Sequence, residues 1–379
     1  MWLVNWIKVI GIWVCDVVNC VRSPFVENVD MPVMSPLLSY TEELFYNHIQ
    51  QYFMRGTGEF LYEKPRPESA GDTTLWHGIY TGMAIMRGDE VTPEYNFLAT
   101  LFDSNGRLGR GFIYDQDYYG TLNLTTSNDS ATGVLWAFYC AYRWGTSTDR
   151  ARFGRLLLTW VKSLKANGWA LVNDKDEPTK YGKFVNGALT DPLRLTLLLA
   201  VLRLAACYDA IYLTDYLELY HKYRPILPYP KVSLLWWDTS YDTHRAAINL
   251  HILFNLTSDR RYLKGLERLY RISKKQCNPW VNALCGRGRI ADILKSFDVQ
   301  TRLKGDVITF NSDWPTVKWG KKVRALKALP IYRRGSQDFF WQRHPFLIND
   351  WPLNDVPGAY HTGLDFLVCY WLAKRTGQL

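Results

Sequence analysis

The chain has 379 residues, 47% of them hydrophobic, with 16 Trp and 24 Tyr, a composition that supports a large core and excludes global disorder. One large closed helical architecture accommodates this length as a single domain. The net charge of +9 suggests an anionic partner and says nothing of fold. Seven cysteines are an odd number without a paired C-x-x-C, so neither a disulfide framework nor a metal site is expected.

Residues 1–22, MWLVNWIKVIGIWVCDVVNCVR, are about as long as a membrane span. Yet Asn5, Lys8, Asp16 and Asn19 line up on one helical face, and the charge and cleavage signals of a secretory leader are not present in good form. The segment reads as an amphipathic helix that docks on the body, on a protein partner or at a membrane. Residues 1–34 are therefore set apart as helix and linker, and 35–379 as one domain. A peripheral-membrane, secreted or virion-associated chain is favoured over a cytoplasmic one.

Ser35-Pro36 starts a helix in the usual way, with a hydroxyl cap and proline in the first turn. Leu37, Thr41, Phe45, Ile49 and Tyr52 then form one apolar stripe. After a loop at 56–70 comes Gly71 to Gly88, GDTTLWHGIYTGMAIMRG, in which Asp72 heads an almost uncharged helix. The arrangement recurs. Asn128-Asp129-Ser130 opens VLWAFYCAYRW, Thr190-Asp191-Pro192 opens LRLTLLLAVLRLAA, and Tyr241-Asp242-Thr243-His244 opens RAAINLHILFNL. These starts lie roughly 60 residues apart, the rhythm of a helical repeat.

Between them lie amphipathic stretches, Asp149 to Lys165 and Ser258 to Lys275, whose basic residues avoid the apolar stripe. Alternation of amphipathic and wholly apolar helices is what an array of hairpins produces when its inner helices are covered on both sides. Lys275 to Arg334 breaks the rhythm, with a short helix predicted at Arg289 to Ser296 and a strand pair around Val299 to Phe310. A loop rich in aromatics and acids follows, and His361 heads the last apolar helix, Gly358 to Arg375. The predicted fold is all-α, an (α/α)6 toroid. Its inner helices fall near 72–88, 130–145, 191–207, 242–256 and 359–375, with one more between about 285 and 345.

This hairpin rhythm with acid-headed apolar helices, over roughly residues 35 to 375, resembles the six-hairpin (α/α) toroid superfamily, which holds many glycoside hydrolases and polysaccharide lyases. The closest likeness is to the unsaturated glucuronyl and rhamnogalacturonyl hydrolases. These carry two essential aspartates at the starts of consecutive inner helices, near the spacing of Asp72 and Asp129. The resemblance implies a glycoside hydrolase with these two as its acid/base pair.

The chemistry is consistent with that reading, because glycoside hydrolysis needs a proton donor and a second carboxylate. A helix N-terminus favours the ionised form of a carboxyl, and burial or a neighbouring carboxylate favours the protonated one. Asp191, followed by proline, reads as a helix cap. Trp76, Trp136, Trp341 and Trp351 are candidate sugar-stacking platforms. His77, Asp242, His244, Asp338 and His361 are candidate substrate contacts, Asp242 being equally suited to a cap or an ion pair. The substrate suggested by the charge is an acidic oligo- or polysaccharide, with no cofactor or metal. The basic runs Arg260 to Lys275 and Lys318 to Arg334 read as solvated outer faces. No nucleic-acid-binding signature accompanies them. The alternative function is a non-catalytic glycan-binding or scaffolding toroid of a virion or cell-surface assembly.

Overall fold

A computed structural model describes residues 37–54, 58–59, 73–112, 121–187, 190–230, 241–273, 278–295, 316–319, 322–325 and 363–379. Among them the architecture is all-α, and the strands form only two-stranded antiparallel pairs. The helices are α1 (Leu38–Tyr52), α2 (Thr73–Arg87), α3 (Thr92–Thr100), α4 (Asn128–Trp144), α5 (Ser147–Ala166), α6 (Pro192–Ala205), α7 (Ile211–Tyr223), α8 (Tyr241–Thr257), α9 (Arg260–Ser273), α10 (Pro279–Leu284), α11 (Ile290–Lys295) and α12 (Leu364–Arg375). The strand pairs are β1 (Gly111–Phe112) with β2 (Leu122–Asn123), β3 (Ala170–Val172) with β4 (Pro178–Lys183), and β5 (Thr316–Trp319) with β6 (Lys322–Ala325).

The chain groups into two compact units, one holding the described residues of Phe53–Pro228 and Ile248–Leu263, the other those of Ile7–Tyr52, Tyr229–Ala247 and Lys264–Leu379. The first unit carries the hairpins. In α2 every residue from Thr74 to Met86 is buried, and in α4 every residue from Ser130 to Ala141. No wet face exists over those stretches, which is why both sequences are nearly free of charge. By contrast α5 buries Phe153, Leu157, Trp160 and Leu164 while Arg150, Arg155, Lys162 and Lys165 remain outside the core. Its start is a capping box: the Asp149 amide donates to Thr146 Oγ1 at 3.1 Å and the Thr146 amide to Asp149 Oδ2 at 3.0 Å.

Glycine sets the distance between α2 and α4. A methyl group on Gly78 would lie 2.4 Å from the Gly133 carbonyl carbon, one on Gly133 2.3 Å from the Leu75 oxygen, and one on Gly82 2.5 Å from the Trp136 ring. The two backbones therefore touch. Their register, Gly78 on Gly133 and Gly82 on Trp136 and Cys140, advances in the same direction along both chains. The helices run parallel. The same holds for α6 and α8, where Asn249 Nδ2 donates to Leu193 O at 3.3 Å near the start of α6 and Arg203 Nη2 to Leu256 O at 2.9 Å near its end.

In the second unit α1 packs antiparallel on α12. Phe45 meets Phe366 at 5.3 Å between ring centroids, and Trp371 Nε1 donates to Glu42 Oε1 at 3.0 Å. The short helix predicted at Arg289 to Ser296 is α11. The strand pair expected around Val299 to Phe310 lies outside the described residues, as do residues 1–22, and β5–β6 occupies a later stretch. The connections before α4 and α6 carry the short pairs β1–β2 and β3–β4, whose alternation is too short to read in the sequence.

Because its methyl would meet backbone, Gly133→Ala is expected to cost about 1–3 kcal/mol or more. Urea unfolding checks this, and an unchanged midpoint would contradict the backbone contact.

Candidate functional site

The starts of α2 and α4 hang on one stretch of chain. Thr74 Oγ1 donates to the Gly109 carbonyl at 2.9 Å, Thr126 Oγ1 to the same oxygen at 3.4 Å, and the Thr74 amide to Arg110 O at 3.2 Å. The Arg110 amide in turn donates to Asn123 O at 2.7 Å. With α2 and α4 parallel, this places their two N-termini side by side. The β3–β4 hairpin is tied to the same edge, since Thr179 Oγ1 donates to Thr126 O at 2.9 Å. Arg107 spans both pieces: its Nε donates to Asp103 Oδ2 at 2.7 Å, and its Nη1 to Asp176 Oδ1 at 2.7 Å and to Asn173 O at 3.2 Å.

At the head of α4 the chain buries an unusual run of small polar residues. Thr126, Ser127, Asn128, Ser130 and Thr132 are all buried, while Asp129 in the first turn is half-buried. Thr132 is satisfied by Asn128 O at 2.8 Å. The others are not. Ser127 holds the N-cap position with extended backbone, yet its hydroxyl makes no cap hydrogen bond. Ser127 Oγ, Asn128 Oδ1 and Ser130 Oγ have no partner among the described residues. A buried polar group left in that state costs about 1–3 kcal/mol, so three within one helical turn, around a carboxylate, form a place where a polar ligand would be stabilised.

The other residues singled out in the sequence fall in several places. Asp72, Asp338, Trp341, Trp351 and His361 lie outside the described residues. Trp76 and Trp136 are 1% and 0% exposed, and Trp136 packs against Tyr139 and His251, so neither ring offers a face to a sugar. Asp191 accepts from the Leu193 amide at 2.8 Å, a helix cap as expected. In the second unit Asp242 forms an ion pair with Arg245, one turn on in α8.

Both candidate histidines serve the core. His244, fully buried, lies 2.6 Å by its Nε2 from Asn278 Nδ2. Asn278 Oδ1 already accepts the Trp280 and Val281 amides that start α10, at 3.0 and 3.2 Å. Its amide group therefore donates to Nε2, and the His244 proton sits on Nδ1. His77 is also fully buried, with Nε2 2.9 Å from Glu94 O and the ring edge-on to Phe97. Burial lowers its pKa to about 4 against the pull of that carbonyl. It is neutral at pH 7 and donates to the carbonyl through Nε2.

Two features escaped the sequence reading. Ser127, Asn128 and Ser130 carry no sequence signal beyond opening an apolar helix; the structure shows that Ser127 Oγ, Asn128 Oδ1 and Ser130 Oγ are enclosed without partners among the described residues. Glu94 stands in the first turn of α3, a position that nothing in the sequence singles out. It is buried, with Oε2 unpartnered among the described residues. Burial, reinforced by Glu90 and Asp89, outweighs its own amide and Arg152 and raises its pKa to about 7.

No protein-family model and no curated protein matches the sequence. Among solved structures the chain is similar to one described as a novel alpha-amylase from Clostridium perfringens, at 12% identity and a TM-score of 0.46, covering 89% of this chain and 97% of that one.

Glu94 makes stability depend on pH. Its folded pKa of about 7 lies above the ordinary value of 4.5, so its contribution is complete below about pH 4.5 and is lost as pH rises through 7. Glu94→Gln, which cannot ionise, should gain stability relative to wild type between pH 5 and 8. Paired urea titrations check this, and a difference flat across that range would refute it.

Proposed function

We propose that the protein is a carbohydrate-active enzyme, a glycoside hydrolase acting on an oligo- or polysaccharide, with Asp129 and Asp72 as its carboxylate pair. The observation that carries this reading is the head of α4, where a half-buried carboxylate stands among three enclosed polar groups that lack partners. Sugar rings present hydroxyls that both donate and accept, the chemistry such groups need. Asp72 directly precedes the first residue of α2, the helix whose start lies beside that of α4.

Hydrolysis at a glycosidic bond needs one carboxyl to protonate the leaving oxygen and another to activate water or attack carbon. Asp129 suits the second role, because the N-terminal end of a 17-residue helix stabilises negative charge. Asp72 is assigned the first. The net charge of +9 favours an acidic glycan, since a cationic surface raises the encounter rate with polyanions. Trp76, Trp136, His77 and His244 have no part in this reading, being enclosed in the core.

The test combines turnover and binding on acidic and neutral oligosaccharides. Asp129→Asn and Asp72→Asn should each retain binding and lower turnover by a factor of at least about 100, the lower end of what a positioned acid or base contributes. Turnover unchanged in either variant would remove that residue from the pair. Wild type that binds glycans and never turns them over would make the protein the non-catalytic glycan-binding toroid instead.

A further inference from the structure

We propose that Ser127, Asn128 and Ser130 form a subsite that holds the ring hydroxyls of one sugar unit beside Asp129. The ligand class rests on the glycan reading above, but the subsite does not require turnover.

The three residues occupy the N-cap and first turn of α4 and are 8%, 4% and 0% exposed. Most of the cost of withdrawing their polar atoms from water is already met in folding. A ligand that supplies partners therefore gains nearly the whole hydrogen bond. Nearby groups of the same kind are used up: Thr126 Oγ1 on Gly109 O, Thr132 Oγ1 on Asn128 O, and Thr74 Oγ1 on Gly109 O. The Ser127 hydroxyl, placed where a serine normally accepts from the first turn, makes no such bond. That hydroxyl is left for a ligand atom.

The donor and acceptor pattern selects among ligands. Asn128 Oδ1 only accepts, and the two serine hydroxyls do both. A carboxylate or phosphate only accepts, so it has nothing to give Asn128 Oδ1, and it would meet Asp129 in the same turn. A ring hydroxyl donates to Oδ1 and accepts from serine. The subsite therefore takes hydroxyls, and any selection for an acidic unit falls to cations outside this turn.

The experiment uses the full chain, with Asp129→Asn as background so that bound sugar is not consumed. Calorimetric titration with a panel of neutral hexose oligomers and uronate oligomers is compared for that background and for the same chain with Ser127→Ala, Asn128→Ala or Ser130→Ala added. Each addition should weaken binding about fivefold to thirtyfold, the size of one lost hydrogen bond, while the unfolding midpoint holds or rises because an unsatisfied group has been removed. Equal affinity in all four chains overturns the subsite. A lowered midpoint with unchanged affinity also overturns it, since the groups then hold internal water only. Absence of binding to every oligomer overturns it as well. Normal binding weakened by the three substitutions, with wild type unable to cleave the same oligomers, keeps the subsite and removes the hydrolase reading.

Discussion

The first unit depends on the contact of two backbones at Gly78 and Gly133. Neither position tolerates a Cβ, so α2 and α4 approach more closely than helices separated by side chains. Their intervening faces then contain no room for water or charge, and both helices are buried all round over Thr74–Met86 and Ser130–Ala141. Their common direction follows from the same register. Two helix N-termini come to lie together, and the segment that must connect and cover them carries Gly109, Arg110 and Thr126. The placing of the polar residues at the head of α4 is a consequence of that packing, because the contact fixes where the ends of two apolar helices emerge.

Helix starts in this chain fall into two groups. Thr146 and Asp149 close a capping box, Asp191 caps α6 and Asn278 caps α10 while also fixing the tautomer of His244. In those places the polar side chain is spent on the fold. At α4 it is not: Ser127, Asn128 and Ser130 are enclosed without partners among the described residues, a state that a ligand, an ion or water would relieve. Asp191 is thus a cap in fact as well as in sequence, whereas the start of α4 encloses polar neighbours that sequence alone does not set apart from an ordinary cap.

Much of the fold was legible in the sequence. Charge-free runs such as GIYTGMAIM can only be buried all round, and the Arg and Lys positions of α5 and α9 mark outer faces, so helix order and the all-α class follow from periodicity. Of the candidate site, the sequence offered Asp129 as an acid at an apolar helix start, whereas the enclosure of Ser127, Asn128 and Ser130 without partners among the described residues depends on tertiary packing, which sequence spacing does not reveal. Trp76 and Trp136 misled because an aromatic ring near an acid has the same sequence signature whether it lines a cleft or fills a core. The packing of Trp136 is set by Gly82, which leaves its ring lying directly on α2. Glu94 was hidden for a related reason: a glutamate in a first turn is ordinarily wet, and only tertiary packing buries it.

The central claim is that the head of α4 is where the protein holds its ligand. A crystal structure of the Asp129→Asn chain grown with an oligosaccharide that it binds in solution tests this most directly. The account predicts one sugar ring with hydroxyls within hydrogen-bond distance of Ser127 Oγ and Asn128 Oδ1, next to residue 129. An oligosaccharide seated elsewhere, with only water at those atoms, would contradict it.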